Sequence, residues 1–221
     1  MALQDQLDAL KHEFETNLAP PAVVEAIHRS TDELIASGQA ERALKAGDRA
    51  PDFALADADG NQVSLSDLLA KGPVVLTFYR GVWCPYCNLD LKALEAAATE
   101  IRARGASLAA VSQQTAPNSR KAQRIEGLSF PILADPGGQV GDAFGLRFQI
   151  PDYLKATYLQ LKVDLSVING EASWTLPMPA RYVIGTDGVV AYAEVNPDYT
   201  RRPDPSELLP VLDRLAAAKA A

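Results

Sequence analysis

The feature that most constrains this chain is the segment VVLTFYRGVWCPYCNLDLKAL, residues 74–94, in which an apolar run meets a helical pattern at two cysteines. Cys84 and Cys87 are the two cysteines of the 221-residue sequence. The run PVVLTFY before them is apolar and rich in β-forming residues, which is typical of a strand buried on both faces. After Cys87, apolar side chains recur at helical spacing up to a glycine at position 105. We therefore predict that a strand gives way to a helix at the thiols.

The start of a helix favours a thiolate over a thiol. Free backbone N–H groups and the positive end of the helix dipole lie there, and cysteines of CxxC motifs in such positions have pKa values lowered to about 3.5–7.5. The spacing of three places both sulfurs on one side of the first turn, close enough to form a disulfide. Pro85 suits the first helical position, where its missing N–H removes no helical hydrogen bond. Since thiolates attack disulfides and peroxides, the pair is interpreted as redox-active.

Two neighbours of the cysteines allow alternative interpretations. Arg80 places a permanent positive charge four residues before Cys84, where it could stabilise a thiolate. An exposed, solubilising arginine is the alternative, because most arginines lie on the surface. Trp83 is expected to be a packing residue, and the alternative is a hydrophobic rim for docking a partner.

Composition limits the partners and the compartment. With 48% hydrophobic and 22% charged residues, the chain can bury one substantial core. Its net charge of −7 argues against binding to nucleic acid or to anionic membrane surfaces. The first 20 residues lack the basic region and the uninterrupted apolar segment of a signal peptide or membrane span, so we expect a cytoplasmic protein. In that reducing compartment a close cysteine pair is expected to be redox-active or metal-binding.

The sequence predicts no metal and no other cofactor. Its two histidines, His12 and His28, both lie in the first 44 residues, so neither a histidine-based triad nor a histidine-rich metal site is expected. A single CxxC supplies half of a structural zinc site. The segment ADPGGQVG is a turn that opens a helix, and it lacks the glycine spacing of a dinucleotide-binding loop.

Two helical patterns make up the first 44 residues. The first carries apolar residues at spacings of three or four and is interrupted by Pro20 and Pro21, and the second ends at Gly38. The apolar stripe of the first helix is Leu3, Leu7, Leu10, Phe14 and Leu18. We predict an N-terminal helical arm, residues 1–44, that packs on the rest of the chain. A homodimer contact through this stripe is the alternative.

Residues 45–221 alternate strand and helix patterns. A hairpin that turns at Asp187 and Gly188 comes near the end, and a helix closes the chain. This order predicts an α/β fold with a mixed central sheet flanked by helices. Residues 147–178 show no clear period and are interpreted as an insertion near the active face.

Four blocks of the sequence, in this order, resemble the peroxiredoxins of the alkyl hydroperoxide reductase and thiol-specific antioxidant superfamily. The blocks are GDRAPDFALADADGNQVSLSDL, VVLTFYRGVWCPYC, FPILADPGGQVGDAFGL and RYVIGTDGVV, and the arm lies outside them. The resemblance implies a thioredoxin fold and a thiol peroxidase that reduces hydrogen peroxide or alkyl hydroperoxides. It also implies recycling by a thioredoxin- or glutaredoxin-type reductant.

The identity of the first nucleophile stays open at this point. The family pattern F-Y-P-x-x-x-[TS]-x-x-C places the peroxidatic cysteine at Cys87, with Arg80 at the proline position and Cys84 at the Thr/Ser position. Electrostatics and access favour Cys84 instead, because the first cysteine of a CxxC is expected to be exposed at the helix start while the second is shielded. We take Cys84 as the first nucleophile and Cys87 as the resolving cysteine.

The family's site arginine is replaced here. By register it falls at Pro179, and Arg181 lies two residues further on, on the same face of the strand. Arg181 is therefore the candidate to supply the missing charge near the sulfurs. Pro179 is either the cis-proline that thioredoxin folds place beside their cysteines or an ordinary trans proline.

Two other functions fit parts of the sequence. The motif CPYC also resembles that of dithiol glutaredoxins, which implies disulfide exchange without efficient peroxide reduction. The third possibility is a non-catalytic redox sensor whose disulfide controls the arm. Peroxide consumption separates the first function from both alternatives.

Overall fold

A seven-stranded sheet forms the centre of the computed structural model, which describes residues 2–220. The strands of the described residues, including two outside this sheet, are β1 (Ala54–Asp57), β2 (Gln62–Ser64), β3 (Val74–Phe78), β4 (Ser107–Ser112), β5 (Ile132–Ala134), β6 (Arg147–Gln149), β7 (Thr175–Pro177), β8 (Ala180–Ile184) and β9 (Val190–Val195). Their order in the sheet is β2-β1-β5-β4-β3-β8-β9, while β6 and β7 form a separate antiparallel pair. Strands β3, β4 and β5 are parallel, and β8 runs antiparallel to β3. The predicted mixed sheet is confirmed, and the segments PVVLTFY and RYVIG lie on adjacent strands of it.

Helices cover this sheet and continue to both ends of the described residues. They are α1 (Leu3–Glu13), α2 (Pro21–Ala36), α3 (Gln39–Arg42), α4 (Leu65–Leu69), α5 (Pro85–Ala103), α6 (Ala116–Glu126), α7 (Gln139–Ala143), α8 (Asp152–Gln160), α9 (Leu165–Asn169) and α10 (Leu208–Ala220). A π-helical segment, Phe14–Leu18, continues α1, and short 3-10 turns precede α7 and α10. Within residues 2–220, each helix is too short or too polar to cross a membrane.

The alternation of side chains along the central strands divides the core into two layers. On one face, Val75 of β3 and Leu108 of β4 pack in the same cluster as Leu91 of α5. On the other face, Leu76 packs in a second cluster with Phe144. All five residues of β3 are buried, which explains why this strand is apolar on both faces. Each buried leucine stabilises this arrangement by roughly 1.5–3 kcal/mol relative to an exposed one.

The loop between β3 and α5 sets the position of the cysteines. Gly81 has a φ of 139°, and a Cβ there would lie 2.7 Å from the Trp83 indole nitrogen, so the turn requires glycine. The backbone N–H of Val82 donates to Gln114 Oε1 at 2.8 Å, which fixes the loop to the end of β4. Cys84 then caps α5 in an extended conformation, and Pro85 is the first residue of the helix, as predicted.

The N-terminal helical extension is confirmed, and α1 packs into the main core. Leu3 and Leu7 are 4% and 0% exposed and belong to the same cluster as Leu91. Gln4 donates to the Thr200 carbonyl at 3.4 Å and accepts from the backbone N–H of Arg202 at 3.2 Å. The boundary of the arm at residue 44 stays a prediction.

Helix α2 lies on α8. The guanidinium carbon of Arg29 is 4.2 Å from the ring centroid of Tyr153, and the Tyr153 hydroxyl donates to Glu33 at 2.5 Å. Helix α8 belongs to the stretch without a clear period. Its buried residues Leu154 and Tyr158 form a small cluster with residues from α9 and β7. Because these elements are short and share a small core, no single apolar stripe marks them in the sequence.

Candidate active site

The two cysteines lie within one turn at the start of α5, and both are free thiols. Cys84 is 1% exposed and Cys87 is 0% exposed. The expectation that Cys84 is exposed is therefore wrong. Residues of the arm and of α8 cover the start of α5 and leave a cavity of about 390 Å³, which Cys84 lines. Access to Cys84 is through this cavity.

The surroundings favour a thiolate at Cys84 and a thiol at Cys87. Burial by itself would raise the pKa of Cys84, but a hydrogen bond from the Cys87 thiol and the charges of Arg80 and Arg202 outweigh it. Together they lower the pKa of Cys84 from 9.0 to about 6. Burial raises the pKa of Cys87 well above 9.0, and the hydrogen bond to Cys84 and the negative charge beside it raise it further.

Arg80 is a buried cation within a group of aromatic rings. It is 3% exposed, so the alternative of a solubilising surface arginine is wrong. Its guanidinium carbon lies 3.8 Å from the ring centroid of Tyr199 and 4.7 Å from that of Trp83, and it donates to the Tyr158 hydroxyl. None of the ion pairs within residues 2–220 includes Arg80. Its positive charge therefore acts on the Cys84 sulfur without competition from a paired carboxylate.

Trp83 and Pro85 flank Cys84 in the wall of the same cavity. The half-buried indole of Trp83 packs against Tyr158, with ring centroids 5.4 Å apart. Trp83 thus has the packing contacts expected of it, and it also faces the cavity. Pro85 is exposed and begins the helix.

Arg181 is directed to a carboxylate instead of the sulfurs. It forms a buried ion pair with Asp90 of α5 and donates to the Pro203 carbonyl at 2.9 Å. The reason is register, since β8 places Arg181 against α5 one turn beyond Cys87, where Asp90 neutralises it. Of the two arginines expected near the thiols, Arg80 faces them and Arg181 does not.

Pro179 lies beside the site in the trans form. It is buried, and it lines a small cavity together with Arg80 and Tyr199. Residues 2–220 contain no cis peptide bond, so the cis alternative for Pro179 is wrong.

Three site residues were missed by the sequence analysis. Arg202 donates to the Cys87 sulfur at 3.5 Å and lies 3.4 Å from Asp90 as an ion pair. Tyr158 and Tyr199 contact Arg80 from α8 and from the segment after β9. Tyr158 falls in the stretch without a period, and Arg202 stands in an arginine- and proline-rich loop that gives no signal of its own. In the part of the chain that the structure describes, no group of three or more His, Cys, Asp or Glu side chains is placed to hold a metal ion.

Comparison with known proteins gives the family. The model of the AhpC/TSA family matches residues 46–193, more than half of the 221 residues, and this chain belongs to that family. It is 36% identical over 111 residues to the thiol-disulfide oxidoreductase ResA of Halalkalibacterium halodurans, a match of 49% of this chain and 61% of ResA. It is 33% identical over 103 residues to peroxiredoxin Bcp of Escherichia coli, a match of 47% of this chain and 65% of Bcp. Both matches span less than two thirds of the relative.

Solved structures agree on the fold. Peroxidoxin BcpB from Mycobacterium tuberculosis superposes with a TM-score of 0.61 at 24% identity and covers 77% of this chain and 97% of its own. Reduced Prx3 of Vibrio vulnificus, solved in complex with hydrogen peroxide, superposes with a TM-score of 0.60 at 18% identity. The match covers 76% of this chain and 99% of the Prx3 chain. The thioredoxin-like peroxiredoxin fold implied by the sequence blocks is confirmed.

Proposed function

We propose that this protein is a thiol peroxidase that reduces hydrogen peroxide or alkyl hydroperoxides, with Cys84 as the nucleophile and Cys87 as the resolving thiol. The observation that carries the proposal is the position of Arg80, a buried cation without a paired carboxylate, beside a cysteine that lines a cavity. A cation held in this way keeps the sulfur ionised at neutral pH, and a thiolate is the form that attacks peroxides.

In the first step the Cys84 thiolate attacks the terminal oxygen of the peroxide. The sulfur–oxygen bond forms as the oxygen–oxygen bond breaks, and the electron pair leaves on the second oxygen. That oxygen takes up a proton from solvent and departs as an alcohol or as water, while Cys84 becomes a sulfenic acid. The Arg80 guanidinium stabilises the negative charge as it moves from sulfur to the leaving oxygen.

In the second step the Cys87 sulfur attacks the sulfenic sulfur of Cys84. A disulfide forms, and the hydroxyl leaves as water with the proton of Cys87. Arg202, which donates to the Cys87 sulfur, stabilises the thiolate that forms during this attack. Because two residues separate the cysteines, closing this ring needs little chain entropy. A thioredoxin- or glutaredoxin-type reductant of the cytoplasm then restores both thiols.

The direct test is peroxide-dependent NADPH oxidation coupled through thioredoxin or through glutaredoxin, with hydrogen peroxide and an alkyl hydroperoxide in turn. We expect catalytic turnover with at least one reductant. Mass spectrometry after alkylation of the free thiols is expected to show an intrachain Cys84–Cys87 disulfide. Predominant interchain dimers on non-reducing gels would contradict the resolving role of Cys87.

Disulfide exchange is the second candidate function. It is favoured by the lowered pKa of Cys84 and by the similarity to ResA, whose name describes a thiol-disulfide oxidoreductase. Fast exchange with glutathione disulfide combined with slow peroxide turnover would favour it. Stoichiometric oxidation by peroxide without turnover would instead favour a redox sensor.

A homodimer formed through the arm stays a prediction. Leu3 and Leu7 of the predicted stripe are buried within the protein's own core, which leaves Leu18, at 66% exposure, as its most exposed member. Sedimentation velocity of the reduced protein measures the oligomeric state.

A further inference from the structure

The cavity over Cys84 is larger than hydrogen peroxide requires. Its volume is about 390 Å³, whereas one water molecule in the liquid occupies roughly 30 Å³. This volume falls in the range of roughly 300–1,000 Å³ that is typical of pockets for small organic ligands. The site therefore has room for a substrate with a substantial organic group.

The wall of the cavity is mainly apolar, and the arm supplies four of its six aliphatic and phenyl side chains. Its aliphatic and phenyl side chains are Leu10, Phe14, Leu18, Ile27, Leu161 and Val163. The first four belong to the arm, and the last two follow α8. Leu18 is 66% exposed and Leu161 is 37% exposed, so these two residues mark the mouth. A ligand that enters between them buries apolar surface against both sides.

The reactive end of the cavity is polar. Arg80 is the one basic residue among those that line it, and it lies there with Cys84 and with the Tyr158 hydroxyl, to which it donates. Cys84 and Arg80 are both almost completely buried, at 1% and 3% exposure. The lining thus combines an apolar entrance with the Cys84 sulfur and a guanidinium at its inner end, which matches a molecule with an apolar body and one polar, electrophilic end.

The arm holds its part of the wall in a fixed position. Phe14 and Leu18 are the two ends of the π-helical segment, and the N–H of Ala19, which caps its end, donates to the Phe14 carbonyl at 2.9 Å. Widened turns of this kind are frequent at functional sites. Helix α1 is anchored before this segment by buried Leu3 and Leu7, and α2 is anchored after it by the bond between Tyr153 and Glu33. The arm also lies outside residues 46–193, so this wall is an addition to the part that matches the family.

We propose that the arm determines substrate specificity by binding the apolar group of an organic hydroperoxide, with its peroxide oxygens placed between Cys84 and Arg80. This inference rests on the proposed thiol peroxidase function and follows the same chemistry, with an apolar group on the leaving oxygen. The arm then favours hydroperoxides that carry an aromatic ring or a branched chain over hydrogen peroxide.

The test compares kcat/KM for cumene hydroperoxide with kcat/KM for hydrogen peroxide. We expect the wild-type ratio to exceed one. Leu18→Asp places a charge at the mouth and Phe14→Ala removes a ring from the wall, and each is expected to lower the ratio about tenfold, as for the loss of an apolar substrate contact. The matched control is Ile125→Asp on α6, since Ile125 is an exposed apolar residue, at 61%, away from the cavity. Its ratio should equal that of the wild type.

The outcomes separate the inference from the function on which it rests. A wild-type ratio below one, or an unchanged ratio in both arm variants, overturns the inference and leaves the thiol peroxidase intact. If the protein turns over neither hydrogen peroxide nor cumene hydroperoxide, the proposed function itself is overturned. In that case calorimetric binding of cumyl alcohol, the corresponding product, still tests the cavity. Binding that weakens about tenfold in Phe14→Ala supports an apolar ligand site, and no binding to the wild type overturns it.

Discussion

The two cysteines of one helical turn lie beside two arginine groups that differ in their counter-charge. On the Cys84 side, Arg80 is enclosed by aromatic rings and has no ion pair within residues 2–220. On the Cys87 side, Arg181 and Arg202 share the carboxylate of Asp90. Both groups are buried, and the Cys87 side has two arginines against one on the Cys84 side. Because the lowered pKa nevertheless belongs to Cys84, the number of arginines does not decide which sulfur ionises. Arg80 has no carboxylate partner and leaves its charge for the Cys84 thiolate, Arg181 is paired with Asp90, and Arg202 acts on the sulfurs while it shares Asp90.

The aromatic rings explain how Arg80 is tolerated in the core. A desolvated guanidinium over a ring gains up to about 2 kcal/mol from the cation–π interaction. Contacts with Trp83 and Tyr199 therefore offset part of the cost of burial without neutralising the charge. A carboxylate in the same place would stabilise Arg80 more strongly and would remove its effect on Cys84.

The largest expected effect comes from replacing each cysteine in turn. Cys84→Ser should lower the rate of the first reaction with peroxide by roughly three orders of magnitude or more, because the nucleophile is lost. Cys87→Ser should still react once and accumulate a sulfenic acid. A dimedone-type reagent at stoichiometric peroxide detects that acid. Rapid labelling of Cys84→Ser and weak labelling of Cys87→Ser would reverse the roles of the two cysteines.

The second effect concerns the paired arginines. Asp90→Asn removes the carboxylate that Arg181 and Arg202 share, and leaving buried charge uncompensated typically costs about 3–5 kcal/mol. We expect a loss of this size in the free energy of unfolding, measured by urea denaturation of the reduced protein. The matched control is Asp213→Asn, which breaks a partly exposed pair with Arg104 at 2.8 Å. The loss of free energy of unfolding in this control should stay below about 1 kcal/mol. Equal losses in both variants would contradict the stabilising role of the buried Asp90 pairs.

The third and smallest effect concerns the unpaired arginine. Arg80→Met removes one of the two charges that lower the pKa of Cys84, so this pKa should rise from about 6 towards 9.0. The peroxide rate at pH 7 should fall about tenfold, because a smaller fraction of the sulfur is ionised. The wild-type rate should rise through pH 6 and level off above it, whereas the rise in Arg80→Met should occur at higher pH. Ultraviolet thiolate absorbance gives the same pKa independently.

The sign of the accompanying stability change follows from the lowered pKa. Between pH 6 and pH 9 the unfolded chain keeps the Cys84 proton and the folded protein does not, so this cysteine makes the reduced protein more stable as the pH rises. The contribution is lost as the pH falls through 6. Arg104→Met serves as the control, since Arg104 pairs with Asp213 and Glu100 at the surface. The pH profile of stability in Arg104→Met should match that of the wild type. If the profile in Arg80→Met were also unshifted, Arg80 would not be the cause of the lowered pKa of Cys84.

Local sequence patterns determined a large part of this protein. The strand, the CxxC, the proline at the helix start and the hairpin after Arg181 were all predictable, because each depends on residues close together in the chain. The blocks that resemble peroxiredoxins also gave the fold, since the same local elements occur there in the same order.

The tertiary structure decided which charges reach the sulfurs. Arg202 is 115 residues from Cys87, and Tyr158 is 78 residues from Arg80, so no periodicity connects them. Register on β8 turned Arg181 towards Asp90, and the covering arm buried Cys84 although its helix position predicted exposure. Helical and strand patterns record which face of an element is apolar. They do not record which distant element covers that face, and the pKa of a buried thiol depends on that covering.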